Sequence, residues 1–120
     1  METDLYDHQG RPVMYIADGD DRAIYTWRGQ AVSYLVNEMI YGWRGKHIGW
    51  FVDGIIYDLN GYRVGYIKEK CPALPWMPYI KYIKYVKYVK YARYIPYMRP
   101  TFQLITANID LEVFLSQDKV

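Results

Sequence analysis

The sequence predicts an all-β protein: an eight-stranded antiparallel meander of four repeated β-hairpins with pseudo-four-fold symmetry, then an extended polyproline-II-like tail and a short C-terminal helix. Three observations carry that reading. One twelve-residue pattern occurs four times in the first 70 residues, each copy has an X-Gly pair at its middle, and from Pro72 the chain runs in strict triplets through Thr101.

The copies are residues 5–16 (LYDHQGRPVMYI), 24–35 (IYTWRGQAVSYL), 40–51 (IYGWRGKHIGWF) and 56–67 (IYDLNGYRVGYI), with starts 19, 16 and 16 residues apart. Each has an aliphatic residue followed by Tyr, then Gly at the sixth place, Val or Ile at the ninth, Tyr or Trp at the eleventh, and an aliphatic residue or Phe at the twelfth. The pairs Gln9-Gly10, Arg28-Gly29, Arg44-Gly45 and Asn60-Gly61 fit a two-residue hairpin turn of the primed type, which needs positive φ. Between copies, Asp53-Gly54 is a second tight turn, Val36-Asn37-Glu38-Met39 a less obvious one, and residues 17–21 a longer loop.

Alternation along the strands assigns the faces. In the third hairpin Met39, Tyr41, Trp43, Lys46, Ile48 and Trp50 share one face, and Ile40, Gly42, His47, Gly49 and Phe51 the other. In the fourth, Ile55, Tyr57, Leu59, Tyr62, Val64 and Tyr66 oppose Ile56, Asp58, Arg63, Gly65 and Ile67. A lone hairpin is barely stable, so the four are expected to pair side by side in a ring without open edges. Ser33, Gly49 and Gly65 share the tenth place and are expected to let backbones approach near the axis, with Met14 the exception.

The fourfold pattern (I/L)-Y-x-x-x-G-x-x-(V/I)-x-(Y/W)-(aliphatic/Phe), the triplet tail and the closing Leu111-Glu112-x-Phe114-Leu115 element together resemble the four-fold beta flower family of small bacterial proteins. The resemblance spans nearly the whole chain and implies a flower of four hairpins. It brings no activity, catalytic residue or ligand with it. The tail departs from the expected pattern in having Tyr where more Pro is expected. A more distant likeness joins Tyr6-Asp7-x-x-Gly10-Arg11 to the tyrosine-aspartate repeats of large secreted shells.

In the tail an α-helix would drift by about 60° per triplet, and a strand would scramble the three residue classes. Only a threefold helix gives each class its own face. Polyproline II has about 3 residues per turn, and Pro72, Pro75, Pro78 and Pro96 fall in register with Lys81, Lys84, Lys87, Lys90 and Arg93. At about 3.1 Å per residue the tail spans on the order of 85 Å, more than the width of the preceding domain. Lys is read as its solvated face and Tyr as its packing face. Ile80, Ile83, Val86, Val89, Ile95 and Met98 form another face, too apolar to leave in water. The tail is therefore expected to lie on its own domain or on a symmetry mate in a homo-oligomer, with an outside protein as a third option. Asn108 and Asp110 are candidate helix caps ahead of Leu111, Val113, Phe114 and Leu115, a segment expected to anchor the tail's end.

This divides the chain into a four-hairpin domain (1–70), a triplet tail (71–101) and a C-terminal anchor (102–120). The net charge of +2 is uneven: residues 1–71 carry 8 basic and 10 acidic side chains, residues 72–100 carry 6 and none, and residues 101–120 carry 1 and 3. Attraction to anionic partners is thus sought in the tail. Its candidate interaction surface comprises Tyr79, Lys81, Tyr82, Lys84, Tyr85, Lys87, Tyr88, Lys90, Tyr91, Arg93 and Tyr94. Basic and aromatic residues in alternation also suit single-stranded nucleic acid or another polyanion.

Other chemistry is poorly represented. Gly42-Trp43-Arg44-Gly45 and Gly61-Tyr62-Arg63-Val64-Gly65 lack the Lys and the following helix of a phosphate loop. His8 and His47 occupy different places in their repeats. Asp7 and Asp58 share the third place, but Thr26 and Gly42 fill it elsewhere, so no ring of four carboxylates exists. Cys71 is the single cysteine, which leaves no internal disulfide. No run approaches the roughly 18 apolar residues of a membrane span, and the acidic start has no secretory character, so a cytoplasmic location is expected. The sequence thus reads as a non-enzymatic structural or protein-interaction module without catalytic, cofactor-binding or metal residues, and nucleic-acid binding through the tail is the alternative.

Overall fold

The computed structural model describes residues 1–120. Eight strands follow in chain order: β1 (Thr3–Tyr6), β2 (Pro12–Ile16), β3 (Ala23–Thr26), β4 (Ala31–Val36), β5 (Met39–Gly42), β6 (His47–Val52), β7 (Ile55–Asp58) and β8 (Arg63–Tyr66). Each pairs antiparallel with the next, and β8 returns to β1 with Tyr66 opposite Tyr6, closing a barrel. The predicted meander is the observed fold. A 3-10 turn (Lys68–Lys70) leaves the barrel, and α1 (Leu111–Leu115) lies near the C-terminus.

The hairpin turns are not the two-residue primed type expected at the X-Gly pairs. The glycine amide of each copy donates to the third-place carbonyl, as from Gly10 to Asp7 and from Gly45 to Gly42, both at 3.0 Å. The third-place amide then bonds the seventh-place carbonyl, as from Asp7 to Arg11 and from Gly42 to Lys46. This is a three-residue loop, a type I turn closed by a glycine in the left-handed region. Only the glycine needs positive φ, between +87° and +100° in the four copies, so Gln9, Arg28, Arg44 and Asn60 stay in ordinary conformations. The true primed turn is Asp53-Gly54, where both residues have positive φ.

A second irregularity reorders the faces. In every hairpin the register slips by one residue, and the unpaired residue is the ninth of the repeat: Val13, Val32, Ile48 and Val64. A β-bulge of this kind re-aims a side chain. Ile48 and Val64, which strict alternation puts among the aromatics, lie in the interior with Ile40 and Ile56, and His47 lies instead beside Tyr41 and Trp50. The hydrophobic residue at the ninth place is thus a bulge that contributes to the core.

The barrel interior is filled by the first-place aliphatics Leu5, Ile24, Ile40 and Ile56, the bulged residues, Met14, and Leu111, Phe114 and Leu115 of α1. Asp110 caps that helix, its carboxylate accepting from the amides of Glu112 (3.0 Å) and Val113 (3.2 Å). Five helical residues have little stability alone; burial of Leu111 and Leu115, each worth about 1.5–3 kcal/mol, holds the segment in place. Two of the small tenth-place residues make room for this helix, and Gly49 also lets a neighbouring strand's backbone come close. A Cβ at Gly65 would lie 2.7 Å from Leu111 Cδ1, and one at Gly49 2.8 Å from Phe114 Cζ and 2.4 Å from the carbonyl oxygen of Tyr57 on β7.

Candidate interaction surface

The outer wall of the barrel carries one aromatic pair at each seam between hairpins. The eleventh residue of one copy faces the second residue of the next: Tyr15 opposite Tyr25, Tyr34 opposite Tyr41, Trp50 opposite Tyr57, and Tyr66 opposite Tyr6 at the closure. Tyr15 and Tyr25 stack with centroids 5.6 Å apart. These rings are nonetheless buried, because the tail passes over them.

The tail meets the hairpin tips in steps of nine residues. The amides of Trp76, Tyr85, Tyr94 and Gln103 donate to the carbonyls of Gly10, Gly29, Gly45 and Gly61 at 2.8, 2.9, 2.8 and 2.8 Å. Nine residues are three triplets, about 28 Å of polyproline-like chain, and the three steps between the four contacts make roughly 84 Å. The body measures 36 × 36 × 22 Å, and that length is about three quarters of the perimeter of a disc of that width. A tail too long to lie across the domain therefore runs around it as a strap. The tip glycines are required twice over, since a Cβ at Gly45 would stand 2.0 Å from the carbonyl oxygen of Ala92, in addition to the positive φ.

Side chains of the tips reinforce the same step. Trp27 Nε1 donates to the carbonyl of Tyr79 (3.1 Å) and Trp43 Nε1 to that of Tyr88 (2.8 Å). His47, almost fully buried, accepts from the amide of Tyr97 at Nδ1 and donates from Nε2 to the carbonyl of Gly49, both at 2.9 Å. These two bonds define the neutral Nε2-H tautomer, and burial lowers the pKa of the ring from the ordinary 6.5 against the opposing effect of the Gly49 hydrogen bond.

The strap's cations face inward. Lys81 Nζ sits 4.7 Å from the Tyr15 ring centroid and 5.1 Å from that of Trp27; Lys90 Nζ, nine residues on, sits 5.0 Å from Tyr34 and 4.7 Å from Trp43. Arg99, nine further, lies over Trp50 and Phe102. Barrel carboxylates complete these sites: Lys81 pairs with Asp4 (2.8 Å) and Glu2 (3.4 Å), Lys84 with Glu2 (2.6 Å), Lys87 and Lys90 with Asp21 (3.1 and 2.7 Å), and Arg99 with Glu38. The hydrogen bond from Lys84 chiefly lowers the pKa of Glu2. Burial would raise Asp21, but its bonds from Lys90 and Lys87 outweigh that and lower it.

This inverts the expected assignment of the tail's faces. Lys81 and Lys90 are only 25% and 30% exposed at the side chain, whereas Ile83 and Val86 are 91% and 95% exposed. Tyr79, Tyr82, Tyr85, Tyr88, Tyr91 and Tyr94 also point mostly into solvent. The physical reason is the barrel wall: aromatic faces flanked by carboxylates attract a cation from both sides. Of the candidate surface, then, the six tyrosines are outward, while Lys81, Lys84, Lys87, Lys90 and Arg93, which lies over Tyr41, are turned to the barrel. The two classes do not share one face.

One latch lay outside the sequence reading. At the third place of the repeat, Asp7, Thr26 and Asp58 each accept from the seventh-place amide through their own side chains. The third hairpin has Gly42 there, and Asp118 fills the gap from the C-terminus: its Oδ2 accepts from the amide of Lys46 at 2.9 Å. A Cβ on Gly42 would lie 2.1 Å from that of Asp118. The sequence signal was the single missing side chain at that repeat position.

The family described as "4-fold beta flower protein" matches residues 3–115. This chain belongs to that family. Comparison with curated proteins gives no match, and neither does comparison with solved structures. The match takes in all four hairpins of the flower, the strap and α1. A cleft of about 330 Å³ lies between the fourth hairpin tip, at Asp58 and Asn60, and the segment from Ala107 to Gln117. No group of three His, Cys, Asp or Glu side chains is placed to hold a metal ion. No helix is long and apolar enough to cross a membrane.

Proposed function

We propose that this flower is a non-enzymatic structural or protein-interaction module. In this reading the tail belongs to its own barrel as a strap, and the tyrosine and aliphatic faces that it turns outward are the contact surface. The observation that carries the proposal is the nine-residue step, which brings strap amides to the four hairpin tips and strap cations onto the aromatic seams. Hydrogen exchange tests it. The amides of Trp76, Tyr85, Tyr94 and Gln103 are expected to exchange far more slowly than those of an unstructured chain, and free exchange at all four would overturn the strap.

The exposed tyrosines favour a second reading, binding of single-stranded nucleic acid or another polyanion, because stacking on aromatic rings is its sequence-tolerant part. The inward cations weigh against it, since neutralising phosphates with Lys and Arg supplies most of such affinity. Titration with an oligonucleotide at low salt separates the two. No binding is expected; steep salt-dependent binding would favour the polyanion reading.

A further inference from the structure

The strap leaves two of its three faces without a partner. Ile80, Ile83, Val86, Val89, Ile95 and Met98 are 88–95% exposed, so they point away from the body instead of lying along it. The seven tyrosines from Tyr79 to Tyr97 are half or more exposed. At roughly 150–250 Å² per buried aromatic side chain, they alone offer on the order of 1,000 Å². The largest apolar patch on a typical monomer is about 300–600 Å², and each side of a standard stable interface buries about 800 Å². The stripe follows an arc of the ring, so a partner lying against part of it reaches that size only with the aliphatic face counted in.

Its charge selects the occupant. Lys81, Lys84, Lys87 and Lys90 are paired with carboxylates on the barrel, and no acidic residue lies between positions 72 and 100. Arg93, exposed and over Tyr41, is the one cation between positions 79 and 98 without a carboxylate, so the outward faces carry little charge. A two-fold interface brings the same patch together from both sides, which a stripe with one cation per copy permits and a highly charged one resists. A lipid surface would be favoured by cations directed outward to anionic headgroups, and here they point the other way.

We infer that two copies of this chain associate strap to strap, through the outward tyrosine and aliphatic faces of residues 79–98. The inference rests on the strap reading above. The test is the mass of the full chain in solution by sedimentation at about 100 μM, where a micromolar complex is largely formed. The wild type is expected at twice the single-chain mass of 14.4 kDa. The combined variant Ile80→Glu, Ile83→Glu, Val86→Glu and Val89→Glu is expected at half the wild-type mass. A milder pair that adds no charge, Val86→Gln with Val89→Gln, should raise the dimer dissociation constant at least tenfold. Slow exchange of the Tyr85 and Tyr94 amides serves as the check that these variants keep the strap.

A monomeric wild type overturns the dimer, as does a dimer indifferent to both variants. A monomer that sediments with phosphatidylcholine vesicles would do so too, by assigning the stripe to lipid. If the wild type is monomeric while the strap amides stay protected, the dimer fails and the strap stands. If those amides exchange freely in a dimer that the variants still disrupt, the strap fails and the association stands.

Discussion

In the barrel, a repeat of sixteen or nineteen residues meets its neighbours through strand pairing and shares an aliphatic interior. In the strap, a repeat of nine has no strand partner of its own, and its amides from Trp76 to Gln103 bond to carbonyls of the hairpin loops and, at Tyr97, to the ring of His47. Both follow the same four hairpins round the ring, but one carries its own cohesion and the other borrows it. The difference shows in composition. The barrel repeat holds a constant Gly and constant apolar places, whereas the strap holds constant classes: Pro or a cation, then mostly Tyr, then mostly an aliphatic residue. The barrel therefore sets the strap's geometry, and perturbation at a tip is expected to cost more than perturbation along the strap.

The largest effect is expected where the two repeats touch through backbone. In Gly45→Ala the new Cβ meets the carbonyl of Ala92 at a positive φ, and the Tyr94 hydrogen bond is displaced. Unfavourable left-handed backbone costs about 1–2 kcal/mol and a lost hydrogen bond about 1, so denaturant unfolding should show a loss of about 3 kcal/mol. Gly54→Ala is the control. Its φ is also positive, but its Cβ would meet side-chain atoms of Ile67 and Lys70 and no strap backbone. A smaller loss, about 1–2 kcal/mol, is expected there. Equal losses would mean that the tips do not bind the strap.

Much of the barrel was legible in the sequence because its signals are local. The sixth-place Gly and the alternation of Tyr with aliphatics each report on neighbours a few residues away. The turn type and the faces were misassigned for a related reason: a bulge at Val13, Val32, Ile48 and Val64 leaves no mark beyond a constant β-branched residue. The strap's threefold period was legible, but its inner face was not. A solvated lysine is the ordinary expectation, and only the placement of Tyr15, Trp27, Asp4 and Glu2 around Lys81 reverses it. Those partners are more than 50 residues away in the chain, so no window of sequence contains the answer.

The third hairpin provides a second contrast, because its tip depends on the C-terminus where the others are self-sufficient. Asp118→Ala is expected to destabilise by about 1–2 kcal/mol, the cost of leaving the Lys46 amide without its charged acceptor. Gly42→Asp supplies the third-place carboxylate that the first and fourth hairpins have, but collides with Asp118. Combining Gly42→Asp with Asp118→Ala should recover most of the loss in a double-mutant cycle. Additive losses would show that Asp118 holds the C-terminus by other means.

A smaller effect separates the two lysines that share Asp21. Lys90 has the carboxylate and also lies over Tyr34 and Trp43, whereas Lys87 has the carboxylate alone. Lys90→Met is expected to cost about 1–2 kcal/mol, and Lys87→Met no more than about 0.5, since an exposed ion pair contributes little. The Lys87 effect should vanish in high salt, while part of the Lys90 effect persists because a cation over rings shielded from solvent is screened less. If the two substitutions cost the same at every ionic strength, the aromatic seams contribute nothing to strap attachment.

The smallest effect is at His47, where the strap relies on a titratable group. Its Nδ1 must be unprotonated to accept from the amide of Tyr97, and burial keeps its pKa below the ordinary 6.5. As pH falls through 6.5 the unfolded chain takes up a proton that the folded chain still refuses, so stability declines. The decline continues until the depressed folded pKa is reached and then levels off. The groups around the ring are Tyr41, Trp50 and Tyr97, with Arg93 over Tyr41 and Arg99, paired with Glu38, over Trp50. The carboxylates of Glu2 and Asp21, with lowered pKa values, lose their contribution only at more acidic pH, as they protonate. Unfolding measured between about pH 7.5 and pH 5 should therefore show a slope that His47→Gln removes, because an amide at that position does not titrate. A slope that survives the substitution would place the titrating group elsewhere and leave the Tyr97 contact insensitive to pH.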